Sequence, residues 1–376
     1  MSGKVSVLLL TFNQENYIKD CINSILNQTY QNFELLINND CSTDNTLNII
    51  KEFNDDRIKI FTSKYNKGIN SSLTTLCNNA SGEFVLFFAG DDILKENHIE
   101  TTVNYLKKHS EIDTVYVNVT PIDENGKIRK ELGDDYCKTV NSSREEQLHQ
   151  AFMQGNFAIS PGMIVRKSVF EKLLPLPCSI VNNQDFKIHI DLLINGAENY
   201  ILPDKLVYYR SCRNNSNISS RGFITELRES LEFEYVMDSF LKINDIDLLK
   251  SIFKNEIEET GIIPFQNSIP YFLGRMALLS SKSAKREWGY HKIVEFLIKE
   301  ENFDILNEQY NFSYKDLLNL TKEFKNSTFH RCFKYKKLFN NFLIISIILF
   351  IALIISIIFS THINHSGLEI FQVLKQ

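Results

Sequence analysis

The chain opens with a repeating exchange of apolar and polar stretches. Val5 to Leu10 is an apolar run interrupted only by Ser6, the pattern of a strand covered on both faces. A polar turn follows, Thr11-Phe12-Asn13-Gln14-Glu15-Asn16. Ile18, Cys21, Ile22, Ile25 and Leu26 then recur at helical spacing between Tyr17 and Asn27. Phe33 to Ile37 predicts a second strand. Asp40-Cys41-Ser42-Thr43-Asp44 supplies helix-capping residues ahead of a helix through Ile49, Ile50 and Phe53. Ile58 to Thr62 predicts a third strand, Ser71 to Asn79 a helix, and Glu83 to Phe88 a fourth strand that runs into Ala89-Gly90-Asp91-Asp92. Strand and helix in strict alternation predict a mostly parallel sheet covered by helices. Ligands of such sheets bind beyond the carboxyl ends of the strands, where the polar clusters at 11–13, 40–44 and 90–92 fall.

Farther along the pattern changes twice. Residues 113–220 mix short strands (Thr114 to Val119, Gly162 to Val165, Lys205 to Tyr209) with helical patterns near 144–153, 167–173 and 185–194, and read as the completion of the same α/β domain. From Gly222 to Phe324 the periodicity is helical throughout. Phe342 to Phe359 is then an 18-residue apolar run broken only by Ser346 and Ser356, and no Asp, Glu, Lys or Arg occurs from Leu338 to Leu368. At the helical rise this run is about 27 Å long, near the roughly 30 Å of a bilayer's hydrocarbon. A buried helix of a soluble domain usually carries charges on one face, and this run has none. Lys322, Lys325, Arg331, Lys334, Lys336 and Lys337 precede it against a single Glu323, which places that flank and the bulk of the chain on the cytoplasmic side.

Composition adds exclusions. A net charge of -5 and a pI near 6.0 argue against nucleic acid as the main partner. The 14 glycines and 7 prolines exclude collagenous and low-complexity classes. A mean hydropathy of -0.17 averages a polar body with one apolar segment. Seven scattered cysteines without a CxxC pair fit reduced thiols in a cytoplasmic protein, and the start of the chain shows no signal peptide. There is no Gly-Lys-Ser/Thr phosphate loop, no GxGxxG and no HExxH.

Three blocks carry a resemblance. Val5-Ser6-Val7-Leu8-Leu9-Leu10-Thr11-Phe12-Asn13, then Ile25-Leu26-Asn27-Gln28-Thr29-Tyr30-Gln31-Asn32-Phe33-Glu34-Leu35, then Asp40-Cys41-Ser42-Thr43-Asp44-Asn45-Thr46 resemble, in order and spacing, the opening of family 2 glycosyltransferases. The resemblance spans about residues 4–212. It implies an α/β fold of the GT-A type and inverting transfer from a nucleotide-diphosphate sugar. Such a site needs hydrogen-bonding and stacking groups for the nucleoside, a divalent cation (Mn²⁺ or Mg²⁺) for the diphosphate, and a general base for the acceptor hydroxyl.

Residue by residue, the resemblance places Thr11, Phe12 and Asn13 at the nucleobase and ribose. Asp40 becomes an acceptor for uracil, although an Asp there also serves as a helix cap. Asp91 falls on the ribose side and Asp92 on the metal; two adjacent carboxylates after an apolar strand suit a hard cation. Gln184-Asp185, followed by an amphipathic segment and Leu206-Val207-Tyr208-Tyr209-Arg210, resembles the acidic pair, helix and closing strand of the family. In that register Asp185 is the catalytic base, with Asp191 as the fallback; an aspartate opening a helix is also stabilised by the helix dipole. The chain departs from the family pattern at Asn39, Cys41, Ala89 and Gln184, which stand where Asp, Gly, Asp and Glu are usual, and at Leu73-Thr74 in place of Arg-Asn.

The organisation expected is a GT-A domain over 1–220, an α-helical extension with a basic juxtamembrane end over 221–337, a transmembrane helix over 338–361 and a short tail over 362–376. The activity expected is transfer of a sugar from a UDP-hexose or UDP-N-acetylhexosamine to a glycan or lipid-linked glycan at the cytoplasmic face of the cell membrane, with a single membrane pass. Two other classes compete. A non-catalytic nucleotide-sugar-binding scaffold would not need Asp40, Asp91, Asp92 and Asp185 together. A metal-dependent nucleotidyltransferase usually has a Gly-rich basic loop after its first strand, where this chain has Thr11-Phe12-Asn13-Gln14-Glu15.

Overall fold

A computed structural model describes residues 3–132, 136–137, 142–212 and 222–324. The expected membrane span over 338–361, the tail over 362–376 and the basic residues from Lys325 to Lys337 lie outside the described residues. No helix among the described residues is long and apolar enough to cross a membrane.

The first half alternates as expected: β1 (Val5–Thr11), α1 (Ile18–Leu26), β2 (Phe33–Asn39), α2 (Thr46–Lys51), β3 (Ile58–Thr62), α3 (Ile69–Asn79) and β4 (Phe84–Ala89). A two-residue β5 (Ile93–Leu94) leads to α4 (His98–Lys108) and β6 (Thr114–Ile122). Then come α5 (Arg144–Met153), β7 (Ile164–Arg166), α6 (Lys167–Phe170), α7 (Gln184–Ile194) and β8 (Asn199–Arg210). The strands form one sheet in the order β3-β2-β1-β4-β7-β6-β8-β5.

β3, β2, β1 and β4 run parallel, as does β6 with β8, whereas β7 is antiparallel to both its neighbours and β5 is antiparallel to β8. The sheet is therefore mixed, more so than the alternation predicted. Strand direction in the second half is set by long connections whose path hydropathy does not record.

Both faces of the sheet are covered, which is why β1, β2 and β4 read as largely apolar runs rather than as apolar–polar alternation. On β1, Val5, Val7 and Leu9 enter one core with Ile22 of α1 and Ile99 and Val103 of α4. Leu8 enters the other core, with Leu76 of α3, Phe152 of α5 and residues of the helical region beyond 222. β3, at the edge, is partly exposed.

That region supplies α8 (Phe223–Met237), α9 (Ile246–Ile252), α10 (Lys254–Thr260), α11 (Ile269–Leu278), α12 (Ser283–Phe296) and α13 (Glu300–Tyr310). Phe240, Phe253, Phe272 and Trp288 bury their rings in the same core as Phe152. α11 and α12 cross at Gly274 and Gly289, where a Cβ on either would lie 2.5–2.7 Å from the other's carbonyl oxygen. The chain divides into units 1–311 and 312–376; in the second, α14 (Tyr314–Leu320) is opened by a Ser313–Asp316 capping box.

One buried ion pins the amino ends of β1 and β2. Glu34 is 3% exposed and accepts from the Ser6 hydroxyl and from the N–H and hydroxyl of Ser81, each at 2.7 Å, and from Lys59 at 3.0 Å. Burial alone would raise its pKa, but these donors hold it at about 2, below the ordinary 4.5. Its stabilisation is therefore complete above pH 4.5 and lost as pH falls towards 2. Glu34→Ala is expected to cost about 1–3 kcal/mol at pH 7, from the donors left unpaired. Thermal melts of both proteins across pH 7 to 2 check this: the gap should narrow below pH 4.5, and a constant gap would contradict the assignment.

Candidate functional site

The carboxyl ends of β1, β2 and β4 lie side by side, because Thr11 is in register with Asn39 and Leu10 with Ala89. Backbone bonds extend the alignment into the loops: Asp40 N donates to Thr11 O and Gly90 N to Leu10 O, both at 2.9 Å. A Cβ at Gly90 would collide with Gln14 and with the Ile18 Cδ1 atom 2.9 Å away, so the approach of these loops requires glycine.

The loop after β1 is fastened to the loop after β2. Asn13, at φ 53°, donates its N–H to the Ser42 hydroxyl and accepts on its side-chain oxygen from Thr43 N at 2.8 Å. Gln14 N donates to Thr46 Oγ1, Glu15 N to Asp44, and Asn45 N back to Glu15. This lattice leaves the Phe12 side chain 43% exposed, as an aromatic residue able to stack must be. Thr11 is buried, and its hydroxyl has no hydrogen-bond partner among the described residues. Cys41 holds φ 64°, a conformation open to glycine, which explains the residue usual at this place.

Asp40 is 5% exposed and already engaged. Its two oxygens accept from Lys67 N at 3.0 Å, and Oδ2 accepts from Gly68 N at 2.7 Å. Gly68 is the cap of α3, so Asp40 ties the end of β2 to the start of that helix. A base bound there would share a carboxylate whose orientation the protein has fixed.

Asp91 and Asp92 occupy the turn after β4, and β8 locks that turn. Ile93 and Leu94 pair with Tyr208 and Val207. Arg210, 3% exposed, donates its N–H to Asp92 Oδ1 at 2.7 Å and its Nε to Asp91 O at 2.8 Å. Its Nη1 reaches Asp123 O at 2.8 Å, and its guanidinium lies over the Tyr17 ring at 4.4 Å. Burial pushes Asp92 well above the ordinary carboxylate range, with the Asp91 charge adding to the shift and Arg210 opposing it; burial raises Asp91 too.

Two adjacent carboxylates that resist ionisation, Asp92 buried and Asp91 partly so, fit a divalent cation, whose charge would reverse both shifts. Among the described residues no three His, Cys, Asp or Glu side chains gather into a ready cage, so a bound cation would take its remaining ligands from substrate phosphates and water.

Asp185 stands in the first turn of α7, apart from that group. The segment that pairs with β4 leads back to the neighbour of Asp185, Asn156. Phe87 N donates to Met163 O, Gly162 N to Phe87 O, and the segment before Gly162 continues past the end of β4 as far as Asn156. Asn156 Nδ2 donates to Asp185 Oδ2 at 3.4 Å, and Phe186 N to Asp185 Oδ1 at 2.7 Å. Burial raises Asp185 to about 6 against these bonds.

Behind Asn156 lies His189, fully buried. Burial pushes its pKa down to about 3, so the ring is neutral. Its Nδ1 is 3.0 Å from Asn156 Oδ1 and its Nε2 3.3 Å from Ser160 Oγ. The tautomer assigned by these contacts has Nδ1–H donating to Asn156, which turns the Asn156 amide N–H toward Asp185. Asp191, the fallback, pairs with Lys187 at 3.0 Å and Lys242 at 3.5 Å on the side of α7 facing the helical region.

Asn156, His189 and Arg210 had no assigned role in the sequence. Arg210 closes a motif that was legible. Asn156 and His189 carry no local signal, because they meet Asp185 and each other only through the fold.

The profile of the family described as Glycosyl transferase family 2 matches residues 6–174. An uncharacterized glycosyltransferase of Haemophilus influenzae is 32% identical over 264 residues, covering 67% of this chain and 80% of that protein. UDP-Glc:alpha-D-GlcNAc-diphosphoundecaprenol beta-1,3-glucosyltransferase WfgD of Escherichia coli is 38% identical over 126 residues, 34% of this chain and 49% of WfgD. Among solved structures, S. aureus TarS 1-349 in complex with UDP superposes with a TM-score of 0.54 at 18% identity, over 83% of this chain and 93% of that one. The same protein in complex with UDP-GlcNAc gives 0.54 at 19% identity, over 82% and 91%. At that identity the likeness is one of fold.

Proposed function

The chain belongs to glycosyltransferase family 2, and on that premise we propose that it transfers a hexose or N-acetylhexosamine from a UDP-sugar, with inversion, to a hydroxyl of a glycan or lipid-linked glycan. The observation that carries this reading is the set of aligned carboxyl ends of β1, β2 and β4, followed by an exposed aromatic ring (Phe12), a fixed carboxylate (Asp40) and an acidic pair (Asp91, Asp92), together with an acid of raised pKa (Asp185) in the first turn of α7. The name of WfgD, which specifies a UDP-glucose donor and a diphosphoundecaprenol-linked acceptor, supports the donor and acceptor classes. The UDP and UDP-GlcNAc complexes of TarS support a uridine donor.

In this mechanism Phe12 stacks on the base, Thr11 and Asn13 border the ribose, and Asp40 accepts from the base while holding the start of α3. Asp92, with Asp91 beside it, would hold Mn²⁺ or Mg²⁺, which supplies positive charge beside the departing diphosphate. Asp185 takes the proton of the acceptor hydroxyl as that oxygen attacks C1 from the face opposite the diphosphate. Asn156 and His189 hold the Asp185 carboxylate in place. The apolar run Phe342–Phe359 and its basic flank support work at the cytoplasmic face of the cell membrane, where a lipid-linked acceptor is presented.

Release of UDP from a panel of UDP-sugars with Mn²⁺, followed across pH 5 to 8, tests the reading. A base must be ionised, so kcat/KM is expected to fall with a single-proton slope below about pH 6, where Asp185 gains its proton. A profile flat down to pH 5 would remove Asp185 from the role of base, and absence of release from every UDP-sugar would remove the donor class.

A further inference from the structure

α7 opens without a side-chain cap of its own, since Asn183 at its cap position makes no capping hydrogen bond. The turn that leads into it is held instead from α8, about fifty residues downstream. Glu232, 7% exposed, accepts from three consecutive backbone N–H groups: Val181 to Oε1 at 2.9 Å, and Asn182 and Asn183 to Oε2 at 2.8 and 2.9 Å. Two more bonds join the same pieces. Arg228 Nη1 donates to Asn182 Oδ1 at 2.7 Å, and Asn183 Nδ2 donates to Glu229 O at 3.0 Å. From the opposite side, Asn70 of α3 donates to Pro177 O at 2.7 Å.

We infer that Glu232 is a positioning residue for Asp185: one carboxylate from the helical region gathers the amides of 181–183 and thereby sets the entry of α7 and the direction in which Asp185, two residues past the last of them, presents its oxygens.

A carboxylate bridging three successive amides fixes the path of a turn more tightly than any single bond. A displacement of about 1 Å at a reacting group can cost on the order of 100-fold in rate. The helical region then has a defined part in the reaction, because it completes the acceptor half of a site whose donor half is built by the sheet. Glutamine at 232 is nearly isosteric but turns an amide group toward N–H donors, so it disrupts the clasp with little change in packing.

The inference rests on Asp185 as base, and the test separates the two. UDP binding to the full-length chain is measured by calorimetry with Mn²⁺, and UDP release is measured with the UDP-sugar that the wild type turns over. Glu232→Gln is expected to lower kcat on the order of 10- to 100-fold while the UDP Kd stays within about twofold. Glu232→Asp should recover part of the rate, and the Asp185→Asn/Glu232→Gln double variant should be no slower than Asp185→Asn alone.

Wild-type kcat in Glu232→Gln overturns the inference. So does a UDP Kd that weakens in step with kcat, or additive losses in the double variant. Full turnover in Asp185→Asn instead overturns the base assignment itself. Should Glu232→Gln fail to fold, Arg228→Ala, which removes only the bond to Asn182 Oδ1, is expected to show the same division with a smaller loss. An unchanged kcat there would overturn the inference.

Discussion

Asp185→Asn is expected to lower UDP release by about 10²–10⁴-fold, the range a positioned general base contributes, with UDP affinity within about twofold of wild type. Asparagine keeps the oxygen that accepts from Phe186 N but takes no proton from an acceptor. The raised pKa adds a second signature. An acid with a folded pKa of about 6 against an ordinary 3.8 binds its proton more tightly in the folded state. Its charge therefore disfavours folding, partly above pH 4 and fully above about 6. Neutral asparagine removes that cost, so the melting temperature at pH 7.5 should hold or rise while activity is lost. Kinetics and thermal melts on one preparation check both; a lowered melting temperature with residual activity in proportion would mark Asp185 as structural instead.

Asp92→Asn carries the second large effect, a loss on the order of 10²-fold or more in UDP release. The substitution is chosen because asparagine retains Oδ1 for Arg210 N, so the bond between β8 and the acidic turn survives. What disappears is one of two adjacent carboxylates and with it the means to hold a cation. UDP affinity in this variant should cease to depend on added Mn²⁺, whereas wild-type affinity should rise with it. Titration of UDP at several Mn²⁺ concentrations distinguishes the outcomes, and an unaltered Mn²⁺ dependence would place the cation elsewhere.

The parts legible in the sequence were those whose cause is local. β1, β2 and β4 are buried on both faces, and each is a largely apolar run, broken in β1 by Ser6 and in β2 by Glu34. α1 presents Ile18, Cys21, Ile22 and Ile25 to the core at the spacing its sequence shows. α4 buries Ile99, Val103 and Leu106 at the same kind of spacing, yet was not expected, because Thr102 and His98 are buried beside them and blur the apolar stripe. β5 has two residues and exists only because Tyr208 and Val207 arrive to pair with it.

The same division runs through the site. The acids at 40, 91, 92 and 185 stand in recognisable blocks. Their partners do not: Gly68 reaches Asp40 across 28 residues, Arg210 reaches Asp92 across 118, and Glu232 reaches Asn183 across 49. Those contacts are products of topology, and topology follows from which faces are buried together rather than from any one segment.

The central claim is direct, inverting displacement at a UDP-sugar, and the anomeric configuration of the product tests it most directly. With the α-linked UDP-sugar that the wild type turns over, proton NMR recorded within the first minutes of reaction should show the transferred or hydrolysed sugar appearing as the β anomer. Initial appearance of the α anomer would contradict single displacement and the role given to Asp185.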